Sequence, residues 1–469
     1  MKGDSVSGIR VEQLWKRGGT AIACAMAMLL VGACGGAPGP AEGEGGSSAI
    51  VIEGARLIDG TGGPVVEDAV LVIEGDHLGV VGPRAAVTVP AGATTIDASG
   101  MTVIPGLINA HGHVGMVKGV VESRDNYTAE NIRAHLLQYA RYGVTTTISL
   151  GLDFGPMFEL RGPAGTDQAP RATVLTAGRG FTGVGGYPAY NAHLDGIPYE
   201  VATVDEVRAH VQELADQRVD VVKMWVDDHF GLPGVERIAP ELRAAIIEQA
   251  HARGLRAMAH VFYLEDAKQV VAAGVDGLAH NVRDQPIDDE LLQMLRERDV
   301  FVAPTLTREE STSMYAEPPA FLDDPFFTRY ADPEVIASIK DPAYGAGVRA
   351  DPLYQSYRDA FEMARANAQR LYEGGVRLVL GTDSGPPRRF QGYFEHRELA
   401  LLVELGIPPA EVLRMATLGS AEALGIAEDY GSLEPGKRAD FVLLGGNPLD
   451  DITNTRRIEQ VWIGGRPVE

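Results

Sequence analysis

Between residues 102 and 381 the chain alternates short apolar runs with amphipathic stretches of helical period, a pattern that a parallel sheet covered by helices satisfies. Eight runs are expected as strands, at 102–108, 144–150, 172–177, 219–226, 256–262, 277–282, 301–306 and 377–381. Residues 240–253 typify the intervening helices, with Leu242, Ile246, Ile247 and Ala250 at helical spacing. Eight such units fit a (β/α)₈ TIM-like barrel better than an open sheet. No short-period repeat is visible. Two connections exceed the minimum, 180–200 after the third strand and 307–354 after the seventh. Both leave the C-terminal end of a strand, where barrel enzymes build their sites, so both are lid candidates.

The two ends of the chain carry a different signal. Ala49 to Ile52, Val70 to Ile73 and Thr94 to Ile96 are β-branched runs separated by turns, and Asp440 to Leu444 and Val461 to Ile463 repeat the pattern at the far end. Neither set can bury a core alone. Pairing them into one composite β-sandwich removes the difficulty. The expected organisation is α/β, with the sandwich contributed by 49–103 and 425–469 and the barrel by 104–424.

The N-terminus reads as an export signal. Lys2, Arg10, Lys16 and Arg17 precede the apolar stretch from Ala21 to Val31, which is too short to span a bilayer but suits a signal-peptide core. It ends in Val31-Gly32-Ala33-Cys34, which resembles a bacterial lipobox, so 1–33 is expected to be removed and Cys34 to carry the lipid. Residues 34–48, rich in Gly, Ala, Pro, Glu and Ser, read as a flexible tether. The second cysteine, Cys24, would leave with the signal, so no disulfide is expected. The expected location is the cell envelope, with membrane contact only through the lipid. Gly35 after the cysteine leans toward the outer membrane in a Gram-negative cell. A net charge of -23 argues against nucleic-acid binding through a basic face. The expected partner is a small-molecule substrate, and a homo-oligomer is compatible with the sequence.

Chemistry concentrates at the expected C-terminal ends of the strands. His111 and His113, in Asn109-Ala110-His111-Gly112-His113, are spaced to project from one face of a strand, where two neutral imidazoles can chelate one divalent ion. His260 and His280 end two later strands, and Asp383 ends the eighth. Four imidazoles and a carboxylate at one rim are hard to explain as packing. Lys223 lies in an otherwise apolar strand and shares the inward face with Val221 and Trp225. A free ammonium there is costly and would repel cations. Carboxylation of the neutral amine by CO₂ would remove the conflict and give an anion that bridges two metals. The competing reading has the lysine reaching Asp227 or Asp228 at the rim.

The arrangement resembles the amidohydrolase superfamily, in particular its imidazolonepropionase-like branch with metal-dependent dipeptidases and prolidases. The likeness runs from Ala49 to Glu469 and includes Ala416-Thr417 and the segment from Gly431 to Val442. It implies that His111, His113 and Asp383 bind one metal, His260 and His280 a second, and carboxylated Lys223 bridges them. Imidazolonepropionase itself looks mononuclear and without that lysine, so Lys223 argues against that activity.

Two divalent ions would lower the pKa of a coordinated water from ~15.7 toward ~7, and Asp383 would pass its proton to the departing amine. Zinc is the expected ion, with Mn, Co and Fe compatible with the ligands. Arg283 is expected either to clamp a substrate carboxylate or to pair with Asp284, and Tyr263 either to bond the substrate or to begin a helix. Asp227, Asp228 and His229 either favour a cationic substrate or cap the next turn. The leading expectation is a dipeptidase-like hydrolase of C–N bonds. A cyclic-amide or lactone hydrolase of the same fold is the alternative, and a non-catalytic ligand-binding lipoprotein is one of another class, disfavoured by the full ligand set.

Overall fold

In the computed structural model, the described residues are 49–469, so the signal segment, Cys34 and the tether lie outside them. Strands from the two ends share one sheet. Its order is Arg466–Pro467, Ile458–Ile463, Phe441–Leu444, Thr102–Pro105, Ile50–Leu57, Val66–Glu74 and His77–Pro83, with Thr94–Asp97 also paired to Ile50–Leu57. The seam between the ends is antiparallel, with Val103 opposite Leu443 and Ile104 opposite Val442. A separate core forms against this sheet from Ile52, Leu71, Ile73, Phe441, Leu443 and Trp462. Burying those side chains is what each half, with so few strands, could not do alone.

The run expected as one strand at 102–108 is in fact two, and the reason lies at Pro105-Gly106. Thr102–Pro105 belongs to the end sheet, whereas Leu107–Gly112 pairs in parallel with Val144–Ser149. Gly106 donates its amide to Asp440, and a Cβ on it would lie 2.0 Å from Thr145 Oγ1. Only a glycine lets the backbone pass so close to the neighbouring strand.

The inner strands are parallel. Leu107–Gly112, Val144–Ser149 and Thr173–Thr176 form one run, and Tyr199–Val201, Phe181–Gly183, Val221–Val226, Arg256–Val261, Gly277–Ala279 and Phe301–Ala303 form another. The last expected strand is reduced to isolated bridges, Val302 to Leu378 on one side and Gly112 to Ser384 on the other. Ala110, Ile148, Leu175, Val221, Met258, Ala279, Phe301 and Val379 pack into one inner cluster. Most of the inner strands thus send a small or apolar side chain to a common centre, as alternation requires, the short pair Phe181–Gly183 and Tyr199–Val201 excepted.

Helices cover this α/β framework. Val204–Asp216 opens on a capping box between Thr203 and Glu206, and Pro240–His251 opens on a proline and buries Leu242, Ile246, Ile247 and Ala250 as their spacing demanded. The connection 307–354 is largely helical, with Leu306–Ser311, Pro325–Thr328, Pro333–Lys340 and Pro342–Ala350. Its Asp-Pro pairs start three of these turns, Asp324, Asp332 and Asp341 each accepting a backbone N–H. Among the described residues no helix is long and apolar enough to cross a membrane.

Candidate active site

The C-terminal ends of the inner strands open into a cavity of about 420 Å³ whose wall includes His111, His113, His260, His280 and Asp383. Residues 382–384 are tied to the first inner strand: Thr382 and Asp383 donate their amides to the His111 carbonyl, and His113 donates to that of Ser384. A buried carboxylate locks the same seam. Glu395 accepts from Asn109 Nδ2 at 2.7 Å, Thr382 Oγ1 at 2.6 Å and Ser384 Oγ at 2.7 Å, while Asn109 Oδ1 takes the His111 amide. The His-x-His segment and Asp383, some 270 residues apart in sequence, are therefore held as one unit.

Asp383 Oδ1 lies 2.9 Å from His113 Nε2 and 3.4 Å from His111 Nε2. His111, His280 and Asp383 each place one ligand atom within 4.8 Å of the others. The rings of His111 and His260 both pack on His280, at 4.7 and 4.3 Å between centroids. His260 turns Nε2 to Asp227 Oδ2 at 2.8 Å, which leaves Nδ1 without a proton, and the Nδ1 atoms of His111 and His113 are buried with no hydrogen-bond partner. Burial drives the imidazole pKa of His111 and His280 well below its usual value and that of His260 to about 4, the last against the pull of Asp227. Buried neutral imidazoles around a carboxylate are the donor set of a divalent metal. Burial pushes the Asp383 carboxyl up, but Arg389, His111 and His113 outweigh it and hold the group well below the usual carboxylate range.

Lys223 is fully buried on the inward face, one alternation above Val221, and its Nζ has no hydrogen-bond partner. The competing reading, a lysine tip on Asp227 or Asp228, is not what the structure shows: Asp227 is engaged by His260 and the His229 amide, and Asp228 by Tyr263, Arg237 and the Gly231 amide. Burial lowers the Lys223 pKa to about 7, with Asp383 opposing, and its charge is felt at His111 and His260. A substantial neutral fraction at physiological pH is the form that reacts with CO₂.

Two expected substrate contacts are corrected. Arg283 does not line the cavity; its Nε lies 2.9 Å from Glu309 and its Nη1 donates to the carbonyls of Val261 and Asn281, so a guanidinium with no exposed side-chain surface ties loops together. Nor is its partner Asp284, which instead accepts the Leu264 amide. Tyr263 also stands outside the wall: it is the N-cap residue of Leu264–Ala273 and donates its hydroxyl to Asp228 at 2.7 Å. The acidic pair after the fourth inner strand caps its own turn, as the second reading had it, and of that trio only His229 reaches the cavity.

The long connections supply what was missed. Tyr187 and Tyr190 come from 180–200, and Arg308, Tyr315 and Tyr344 from 307–354, while Arg388 and Arg389 follow Asp383. Arg308 holds Glu309 through both carboxylate oxygens at 2.7 and 2.8 Å, and Arg389 donates to Asp383 Oδ2 at 2.6 Å. In a chain of net charge -23 the cavity wall carries three arginines. Proximity of Arg308 to the seventh strand and of Arg388 to the eighth was a usable signal, the same one that singled out Arg283.

The Amidohydrolase family model matches residues 102–468. The chain belongs to the amidohydrolase family. Among curated relatives, ochratoxinase of Aspergillus niger is 24% identical over 456 residues, covering 89% of this chain and 86% of that one. An imidazolonepropionase of Geobacillus kaustophilus is 41% identical over a shorter stretch of 83 residues, 17% of this chain and 18% of the relative. The crystal structure of a putative prolidase from Bifidobacterium longum superposes with a TM-score of 0.72 at 25% identity, covering 90% of this chain and 95% of that one. This amidohydrolase is accordingly placed in the imidazolonepropionase and prolidase-like branch, as a metal-dependent enzyme that hydrolyses C–N bonds. A non-catalytic binding protein is thereby set aside.

Proposed function

We propose that this amidohydrolase cleaves the amide bond of a dipeptide or N-acyl amino acid, using two divalent cations, zinc foremost, held by His111, His113, His260, His280 and Asp383 with carboxylated Lys223 between them. The observation that carries the reading is Lys223: a fully buried amine without a hydrogen-bond partner, within electrostatic reach of two of the histidines and Asp383. Bound there, the ions would supply Lewis acidity toward the carbonyl and a nucleophile at neutral pH. The protein supplies the rest. Asp383, ionised and fixed by Arg389, takes a proton at its carboxylate and returns it to the departing nitrogen, which an amide needs because its anion is a poor leaving group. Tyr187, Tyr190, Tyr315 and Tyr344 wall the cavity with amphipathic rings that exclude bulk water, the hydroxyls of Tyr190 and Tyr315 being engaged by His229 and by the Arg388 carbonyl. In this reading the inner strands close into a (β/α)₈ barrel over 104–424, and the end sheet of 49–103 and 425–469 curls into the composite sandwich.

Arg388 takes the role expected of Arg283. Among the described residues it has no carboxylate within ion-pair distance; its guanidinium lies 4.1 Å from the Tyr344 ring centre and its Nη2 only 3.4 Å from Ser338 Oγ. Arg308 and Arg389 are already matched by Glu309 and Asp383, which leaves Arg388 as the cavity cation for a substrate carboxylate. Arg388→Met is expected to lower kcat/KM about 10–100-fold for an N-acyl amino acid, the worth of one charged hydrogen bond, and to leave its carboxamide analogue nearly unaffected. Equal losses on acid and amide would refute this anchor.

Metal analysis with a screen of dipeptides, N-acyl amino acids, cyclic amides and lactones tests the whole reading. Activity should vanish on chelation and return with zinc, and acyclic amides bearing a free carboxylate should be the best substrates. Turnover of lactones alone would shift the assignment to the cyclic alternative. For the envelope location, radiolabelled lipid should enter the protein and be lost in Cys34→Ser; a soluble, unlabelled wild-type protein would exclude the anchor.

A further inference from the structure

Thr305 is fully buried and sits at φ 52, in the left-handed region that a β-branched residue rarely enters. His280 and Asp383 share this unusual backbone, at φ 70 and 53. Strained conformations gathered at one site persist only when the surroundings over-determine them, and they point to function rather than to packing. Thr305 is two residues past the strand Phe301–Ala303 and immediately precedes the helix Leu306–Ser311.

The hydroxyl of Thr305 has two neighbours. It lies 2.8 Å from the Pro304 carbonyl oxygen and 2.5 Å from His280 Nδ1. A carbonyl can only accept, so the one hydroxyl proton goes to Pro304. The oxygen must then accept from His280, and Nδ1 must carry the hydrogen. That leaves Nε2 of His280 bare, with its lone pair free to meet a cation in the cluster His280 forms with His111 and Asp383.

A second group holds Thr305 where it is. The helix that follows has no side-chain cap of its own, and its first amides are taken by Glu398, buried in the helix Tyr393–Glu404. Leu306 N donates to Oε1 at 2.8 Å, and Thr307 N and Oγ1 donate to Oε2 at 2.7 and 2.8 Å. A carboxylate gripping two successive amides of a helix start orients the peptide planes that follow Thr305 and so limits its ψ. Neither Thr305 nor Glu398 lines the cavity.

We propose that Thr305 is a positioning residue that fixes His280 in its Nδ1–H tautomer, and that Glu398 acts through it by locking the start of the following helix. Orienting acceptors of this kind alter the affinity of a histidine for its metal by about 10–100-fold. The metal arm of the test rests on the proposed function; the tautomer arm does not.

The test is made on the metal-free full chain with nitrogen-15-labelled histidine, the His280 signals being assigned by their absence in His280→Asn. Wild type should show His280 protonated at Nδ1, and protonation at Nε2 instead overturns the proposal without any variant. Thr305→Val keeps the shape and removes the acceptor. It should mix the tautomers and weaken zinc binding about 10–100-fold, whereas Thr305→Ser should restore both the tautomer and the zinc affinity. Glu398→Gln, which keeps one acceptor oxygen, should broaden the His280 signals and weaken zinc by a smaller factor. A Thr305→Val protein with the wild-type tautomer and zinc affinity would show that the threonine merely packs, and would overturn the idea.

Discussion

Lys223→Ala is expected to lower kcat/KM by at least ~10³-fold, on the order of 4 kcal/mol of transition-state stabilisation. Two cations held by neutral imidazoles need an anion between them, and the two buried carboxylates that touch the histidines are placed elsewhere, Asp383 against His111 and His113 and Asp227 against His260. Without the bridge the cations repel, and at least one should be lost, so metal content is the companion measurement. Short-chain carboxylic acids should restore part of the activity by occupying the space of the carbamate. The same substitution should leave the metal-free protein no less stable against heat, because the amine it removes is buried and makes no hydrogen bond. Full activity and two metals in the alanine variant would sink the bridge.

Asp383→Asn should reduce kcat by ~10²–10⁴-fold with little change in KM, because the amide keeps the shape and a contact for Arg389 but cannot carry a proton. The wild-type carboxyl is held below its usual range, so its basic form is present at neutral pH and is lost only as pH falls through that lowered value. The acid limb of the kcat profile owed to this group should therefore lie below pH ~4, and it should be absent in the asparagine variant. A variant with intact metals and more than about a tenth of wild-type kcat would remove Asp383 from the proton path.

The candidate cluster was legible because its histidines and aspartate sit at or just past the ends of apolar runs and its lysine interrupts one, and alternation converts a position in sequence into a face of a strand. Lys223 shows this best: Val221 goes to the inner cluster, and the lysine two residues on is buried on the same side. Arg283 shows the limit. It occupies the kind of position that favours a substrate contact, but whether an arginine at a strand end faces a ligand or a protein carboxylate depends on what a distant segment brings, and here the helix Leu306–Ser311 brings Glu309. The splitting of the first expected strand was hidden for a similar reason, since Gly106 is demanded by Thr145 on a neighbour.

By itself, then, the order of residues determined the strand and helix periods, the pairing of the two ends and the place of four histidines, a lysine and an aspartate, because these follow from burial and from the two-residue repeat of a strand. Only the tertiary structure decided which cations face the cavity and which ring nitrogen each imidazole presents. Those choices are made by hydrogen-bond partners on other strands and helices, such as Asp227 for His260 and Glu398 for the Thr307 amide, and no local pattern encodes a partner that folding alone brings within 3 Å.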